Sequence, residues 1–141
     1  MSNFTKRQVL GLSALALVGV AGIGYAMTGT GEAGFDHRFM TVDEMRATGG
    51  LIVDIRTAPE WSQTGVIEGA ELVTFTDPAS FLAKVGPQLA DGRDLILVCR
   101  SGNRTSAAAR ALQGMIPNRI VSVDGGMSKV IASGYRTVSP S

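Results

Sequence analysis

The residue of this chain best suited to chemistry is its single cysteine, Cys99. It ends the apolar run 95–99 and precedes a loop with one glycine and two arginines, made of Arg100, Ser101, Gly102, Asn103 and Arg104. An alanine-rich helix is expected next, over residues 105–113, so the loop amides converge where that helix begins. The helix dipole and the arginines add positive charge there, which favours the thiolate and predicts a sulfur nucleophile at neutral pH.

Simpler interpretations of these residues remain open. A lone cysteine commonly fills a hydrophobic core, although a core cysteine has no use for two arginines and a loop that contains glycine. Arg100 and Arg104 can instead face solvent. The only histidine, His37, lies at the edge of the predicted domain and is interpreted as a surface residue rather than a general base.

Other polar residues are expected near the same place. Asp54 lies at the end of a predicted strand, where it either lines a cleft or fixes the following turn, and the structural role is favoured. Arg56 is expected to pair with Glu60. Thr105, directly after the loop, is a candidate for the same two roles, and Trp61 is predicted to be a core residue rather than a platform for a ligand.

Short apolar runs alternate with helical segments along the chain. Strands are predicted over residues 51–55, 71–73, 95–99 and 120–123, and helices over 41–47, from 59 onward, and over 78–89, 105–113 and 127–133. Continuous apolar runs rich in β-branched residues are typical of parallel strands covered on both faces. The sequence therefore predicts an α/β fold with a parallel sheet of about five strands and helices on both faces, whose ligand site lies at the carboxyl ends of the strands.

The composition limits the class of protein. A chain of 141 residues allows one domain, and a single cysteine excludes an internal disulfide. Beyond Lys6 and Arg7, the only charged residues among the first thirty-one, the chain carries a net charge of −1. Nucleic-acid binding is therefore not expected, because it needs clustered basic residues on one face.

The amino-terminal segment has the pattern of an export signal. The basic pair Lys6 and Arg7 precedes residues 9–27, all apolar or small, and Gly24 and Ala26 stand at the two positions that a signal peptidase reads. The region of the basic pair also resembles a twin-arginine signal with lysine at the first position. The alternative is an uncleaved anchor, because the segment is close to the ~20 residues that a membrane-spanning helix needs.

Both alternatives predict an exported, periplasmic domain, either free or attached to the inner membrane through residues 9–27. The expected organisation is a signal peptide or hydrophobic anchor helix over residues 1–26, a linker over 27–37 and one domain over 38–138.

The loop from Cys99 to Arg104 resembles the active-site loop of the rhodanese family. Three more stretches, in the family's order, are similar to it: Asp54-Ile55-Arg56 with Glu60-Trp61, the segment from Gly65 to Ala70, and Gly125-Gly126 with Gly134-Tyr135. The resemblance covers about residues 40–137. Val66 stands where the family usually has histidine and Val130 where it often has tryptophan, which we interpret as changes in packing or in the lining of the cleft.

The resemblance implies a sulfurtransferase of the thiosulfate type. The Cys99 thiolate would take sulfur from a thiosulfate-like donor as a persulfide and pass it to cyanide or a thiol. Amides of the loop would stabilise the anionic sulfur, and Arg104, with Arg100, would hold the sulfonate end of the donor. Neither a separate base nor a cofactor or metal is expected.

Two rival functions belong to the same fold. Related phosphatases and arsenate reductases separate their cysteine and arginine by five residues, whereas four residues separate Cys99 from Arg104, and Thr105 occupies the place of that arginine. The other rival is a persulfide carrier or protein-interaction module without turnover, which the sequence does not distinguish from an enzyme.

Overall fold

A computed structural model describes residues 34–141. Its strands are β1 (Phe35–Arg38), β2 (Leu51–Asp54), β3 (Glu71–Leu72), β4 (Leu95–Val98) and β5 (Ile120–Val123). All neighbouring strands are parallel, and their order across the sheet is β1-β5-β4-β2-β3. The predicted α/β fold with a five-stranded parallel sheet is confirmed, and the run that ends at Cys99 is its central strand, β4.

The described residues form five α-helices: α1 (Val42–Ala47), α2 (Ala58–Thr64), α3 (Pro78–Val85), α4 (Asn103–Leu112) and α5 (Gly126–Ala132). The first four connect successive strands, and α5 follows β5. Where the sequence predicts one helix over residues 78–89, α3 ends at Val85 and a 3-10 turn covers Gly86–Leu89. The reason is Pro87, which has no amide hydrogen to continue the α-helical pattern.

The sheet is buried on both faces. Alternate strand residues such as Val53 and Leu97 contact the buried side chains of α3 and α4, while Ile52 and Val98 lie in the core with α1 and α5. Burial on both faces explains why the strands are apolar runs rather than alternating patterns. The prediction of helices on both faces is confirmed, and α2 has no buried residue.

The first strand lies where the sequence predicts a linker. Residues 35–37 form most of β1, which pairs only with β5, as in the register of His37 with Ser122. Two residues of β1 are half-buried and two are exposed. A short, charged edge strand lacks the apolar run by which buried strands are recognised, which is why the sequence pattern does not predict it.

The signal peptide or anchor, its hydrophobic helix and residues 27–33 of the predicted linker lie outside the described residues. Between residues 34 and 141, none of the helices combines the length and the apolar character required to cross a bilayer.

Two positions that depart from the resembled family fill the interior. Val66 is buried and pairs with Val138 of the carboxyl-terminal segment, with N–O distances of 2.8 and 3.0 Å. Val130 is fully buried on α5. Both substitutions are therefore accommodated by packing.

Candidate active site

Cys99 directly follows β4, and the side chain is completely buried. The amide of Gly102 donates a hydrogen bond to its Sγ at 3.1 Å, and the hydroxyl of Thr105 lies 3.6 Å from the same atom. The sulfur thus packs against the core and also has two polar partners, which a cysteine that only fills space does not need.

The loop from Cys99 to Arg104 is shaped by close backbone approaches. Gly102 has φ +96°, and a Cβ there would lie 3.1 Å from both the amide nitrogen of Gly125 and the carbonyl of Val123. Only glycine meets both requirements without strain. On the other side of the loop, the amide of Met127 donates to the carbonyl of Cys99 at 2.8 Å, and that of Ser128 donates to the carbonyl of Arg100 at 3.1 Å. The first turn of α5 therefore fixes the chain on which the sulfur is carried.

The loop residues divide into two groups by exposure. Gly102 and, directly after the loop, Thr105 are buried beside Cys99, whereas the exposed members of the loop are Arg100, Ser101, Asn103 and Arg104. The buried group contacts the sulfur, and the exposed group is available to a ligand.

Arg104 is held by Glu60 of α2. Its two terminal nitrogens donate to the two carboxylate oxygens of Glu60 at 2.8 and 2.5 Å. The Arg104 hydrogen bonds are the main reason why the pKa of Glu60 falls to about 2. The pKa of Arg104 is raised, first by its hydrogen bond to Glu60 and to a smaller extent by the nearby charges of Cys99 and Asp54. Arg104 therefore lies within electrostatic reach of the sulfur. The sequence pattern did not identify Glu60 as the partner of Arg104.

The predicted ion pair between Arg56 and Glu60 is wrong. The Arg56 guanidinium instead binds the carboxylate of Asp54, with a shortest distance of 2.7 Å, and contacts only the backbone carbonyl of Glu60, at 3.4 Å. Asp54 also accepts from the amide of Arg56 at 3.1 Å, so it does fix the turn after β2. Both side chains are buried, which gives the pair a structural position beneath α2. Trp61, predicted to be a core residue, is half-buried and belongs to neither core.

Glu60 also completes a capping box with Thr57, as Glu44 does with Thr41 in α1, and this similarity provides a matched control. We expect Glu60→Gln to cost about 0.5–1 kcal/mol at pH 7, because it removes a partly exposed ion pair. The pKa of Glu60 is lowered from 4.5 to about 2, so this contribution is complete above pH 4.5 and is lost as the pH falls towards 2.

Chemical denaturation of the wild type and of Glu60→Gln between pH 2 and pH 8 measures this difference in the free energy of unfolding. Glu44→Gln removes a capping carboxylate that has no loop arginine, so it should leave the reactivity of Cys99 unchanged. An equal effect of both variants on that reactivity would show that Arg104 does not need Glu60.

Two cavities lie on either side of the Glu60–Arg104 pair. One, of about 170 Å³, is lined by Glu60 together with Arg100, Arg56 and Met127. The other, of about 400 Å³, is mainly apolar, with Arg104 as its one charged lining residue among Ile55, Phe75 and Ala108. A small anion fits the chemistry of the first cavity, and an apolar group fits the second.

Several solved structures are similar to this chain. A protein of unknown function from Rhodopseudomonas palustris, described by its name as a possible tyrosine phosphatase, is 25% identical with a TM-score of 0.57, and the match covers 72% of this chain and 84% of that one. A rhodanese-related protein from Thermoplasma volcanium is 26% identical with a TM-score of 0.54, over 73% and 99% of the two chains. A rhodanese-like domain protein from Staphylococcus aureus, 23% identical with a TM-score of 0.50 over 74% and 100%, supports the fold alone.

A search among curated proteins found no match. The family model for the rhodanese-like domain matches residues 41–133, which are most of the chain and include the whole loop from Cys99 to Arg104. The chain belongs to the rhodanese-like domain family.

Proposed function

We propose that this protein is a sulfurtransferase whose Cys99 carries a sulfur atom as a persulfide. The observation that supports it most is the hydrogen bond from the Gly102 amide to Sγ, at the carboxyl end of the central strand. Amides aimed at a sulfur stabilise its anionic form, whether thiolate or persulfide. Arg104 adds positive charge within electrostatic reach of that atom.

The proposed reaction has two displacements at sulfur. The Cys99 thiolate attacks the outer sulfur of thiosulfate, the S–S bond of the donor breaks, and sulfite leaves with the electron pair. Cyanide or a thiolate then attacks the outer sulfur of the persulfide, and the Cys99 thiolate leaves. The charges balance in each step without transfer of a proton, so no general base is required.

The exposed arginines supply the proposed donor site. Arg100 lines the cavity of about 170 Å³, and a sulfonate is a small anion suited to a guanidinium. Arg104 uses two N–H groups on Glu60 and, as arginine has five, retains others for the donor. We propose Arg100 as the main sulfonate ligand, because Glu60 already offsets the charge of Arg104. The apolar cavity beyond Arg104 suits the hydrocarbon part of an organic thiol acceptor.

Complete burial of Cys99 favours one alternative, a persulfide carrier with little turnover. The outer sulfur of a persulfide needs space, so the loop of residues 100–104 has to open during each transfer. If opening needs a partner protein, the isolated chain transfers slowly.

The formation of thiocyanate from thiosulfate and cyanide distinguishes the two functions. We expect the wild type to form many equivalents of thiocyanate per protein, and Cys99→Ser to form none, because the serine hydroxyl cannot replace the thiolate. A wild type that gains sulfur from thiosulfate but forms thiocyanate only slowly is a carrier.

A phosphatase is the second alternative, which the name of the Rhodopseudomonas palustris neighbour brings into consideration. Thr105 argues against it, because this residue is fully buried and its hydroxyl donates to the carbonyl of Gly102 at 3.0 Å. No arginine therefore stands one residue after Arg104, where a cradle for phosphate would need it. Phosphate-ester hydrolysis that depends on Cys99 would contradict the proposal.

We propose that the sulfurtransferase acts outside the cytoplasm, on the basis of the basic pair and apolar segment over residues 6–27. Sequencing the amino terminus of the protein recovered from cells tests this, since a cleaved signal predicts a start at Met27 and a retained anchor predicts an intact segment. Recovery of the intact protein from the cytoplasm would contradict both.

A further inference from the structure

A line of hydrogen-bonding side chains connects the sulfur of Cys99 to the protein surface. The Thr105 hydroxyl is 3.6 Å from Sγ, the Ser122 hydroxyl is 2.8 Å from that of Thr105, and Nδ1 of His37 is 2.9 Å from that of Ser122. At the outer end, Nε2 of His37 lies 3.4 Å from the carboxylate of Asp124. These side chains come from the β1, β5 and α4 regions, which the parallel sheet brings together.

The inner side chains of this hydrogen-bonded line are isolated from water. Cys99, Thr105 and Ser122 are fully buried, whereas the side chains of His37 and Asp124 are 39% and 52% exposed. A buried hydroxyl cannot replace a lost partner with solvent, so the direction of each hydrogen bond is decided by its neighbours.

Each hydroxyl has a single proton to donate, so only a few sets of hydrogen-bond directions are possible along this line. If Nδ1 of His37 accepts the proton of Ser122, then Ser122 is free to accept the proton of Thr105. If Nδ1 of His37 carries a hydrogen and donates it to Ser122, then Ser122 donates to Thr105. The proton of Thr105 is then directed to the carbonyl of Gly102, at 3.0 Å, or to the sulfur of Cys99.

The second arrangement favours an anionic sulfur. Hydrogen bonds to a charged acceptor are stronger than those to a neutral one, so a thiolate or persulfide attracts the Thr105 proton away from the carbonyl of Gly102. The carbonyl of Gly102 can only accept, so a Thr105 proton held there leaves Ser122 to donate to Thr105, and Ser122 can then only accept from a hydrogen on Nδ1 of His37.

We propose that His37 is a positioning residue for the nucleophile: through Ser122, it orients the Thr105 hydroxyl so that this hydroxyl donates to the sulfur of Cys99. The inference rests on the proposed function of Cys99 as a sulfur carrier. His37 does not contact the sulfur, so its effect is exerted through the two buried hydroxyls of Ser122 and Thr105.

The test compares four variants with the wild type. His37→Leu and Ser122→Ala each interrupt the line of hydrogen bonds, and their double variant interrupts it at two places. His37→Asn retains an N–H group close to the position of Nδ1. The control is Arg38→Leu, a neighbouring exposed residue of the same strand. Mass spectrometry measures the rate at which Cys99 is alkylated by iodoacetamide and the rate at which it gains sulfur from thiosulfate, both at pH 7.

We expect His37→Leu and Ser122→Ala each to lower both rates by about three- to tenfold, because one of two donors to the anionic sulfur is lost. His37→Asn and Arg38→Leu should stay within about twofold of the wild type. The double variant should be no slower than the slower single variant, since both changes interrupt the same line of hydrogen bonds. A purely structural role of His37 predicts neither the rescue by asparagine nor this lack of additivity.

Wild-type rates in His37→Leu, or single effects that multiply in the double variant, would overturn the inference. If alkylation follows the expected pattern but the wild type gains no sulfur, then thiosulfate is not the donor while the role of His37 is retained. If the wild type gains sulfur and His37→Leu reacts as fast, only the role of His37 is excluded.

Discussion

Replacing Arg56 by methionine is expected to cost about 3–5 kcal/mol of stability. The buried guanidinium binds Asp54 and also donates to the Thr64 hydroxyl at 2.7 Å and to the carbonyl of Gly65 at 3.0 Å. Methionine keeps the unbranched stem but leaves the carboxylate of Asp54 charged, buried and without its partner. The same change removes the hydrogen bonds to the carboxyl end of α2 and to the carbonyl of Glu60 in that helix, so Arg104 should lose its fixed position as well.

The chain contains a matched control for this variant. Asp91 and Arg93 have the same spacing and nearly the same hydrogen bonds, with a shortest distance of 2.7 Å, but both side chains are largely exposed. Arg93→Met should therefore have little effect in urea denaturation, because solvent replaces the lost interactions. If Arg56→Met is as stable as Arg93→Met, then burial of the Asp54–Arg56 pair does not stabilise the fold.

Replacing Gly126 by alanine is expected to cost about 2–5 kcal/mol and to abolish sulfur loading. The residue has φ +51°, and a Cβ there would lie 2.3 Å from the carbonyl oxygen of Cys99 and 2.7 Å from the carbonyl carbon of Arg100. The estimate combines about 1–2 kcal/mol for the left-handed backbone with about 1–3 kcal/mol for overpacking. The neighbouring atoms belong to the backbone, so the contact with the new Cβ can be relieved only if the loop from Cys99 to Arg104 is displaced.

Gly49→Ala separates these two effects. Gly49 has φ +69°, but a Cβ there would meet no atom within 4 Å. We expect it to cost about 1 kcal/mol and to leave sulfur loading intact, since only backbone strain is added. Thermal denaturation and loading by thiosulfate are measured for both variants. A Gly126→Ala protein that loads sulfur as fast as Gly49→Ala would show that α5 does not position the sulfur.

The fold was predictable because its signals are local. The runs at residues 51–55, 95–99 and 120–123 are apolar on both faces, and the capping box of Thr41 and Glu44 marks the start of α1. Strand β1 lacks such a signal, because it is short, charged and covered by one neighbour only. Edge strands depend on pairing partners that are distant in sequence, and local patterns do not identify those partners.

The candidate site was predictable only in part, for the same reason. The loop from Cys99 to Arg104 is contiguous, so its residues could be named from the sequence. The partner of Arg104 is Glu60, which is 44 positions away, and composition does not distinguish it from the other carboxylates. His37 and Ser122 are 85 positions apart, and their contact follows from the β1–β5 register.

The most direct test of the account is the mass of the intact protein after treatment with thiosulfate. We expect the wild type to gain one sulfur atom, excess cyanide to remove it, and Cys99→Ser to gain none, since its hydroxyl cannot form the persulfide. A wild type that gains no sulfur, or a Cys99→Ser protein that gains as much as the wild type, would contradict the assignment of Cys99 as the sulfur carrier.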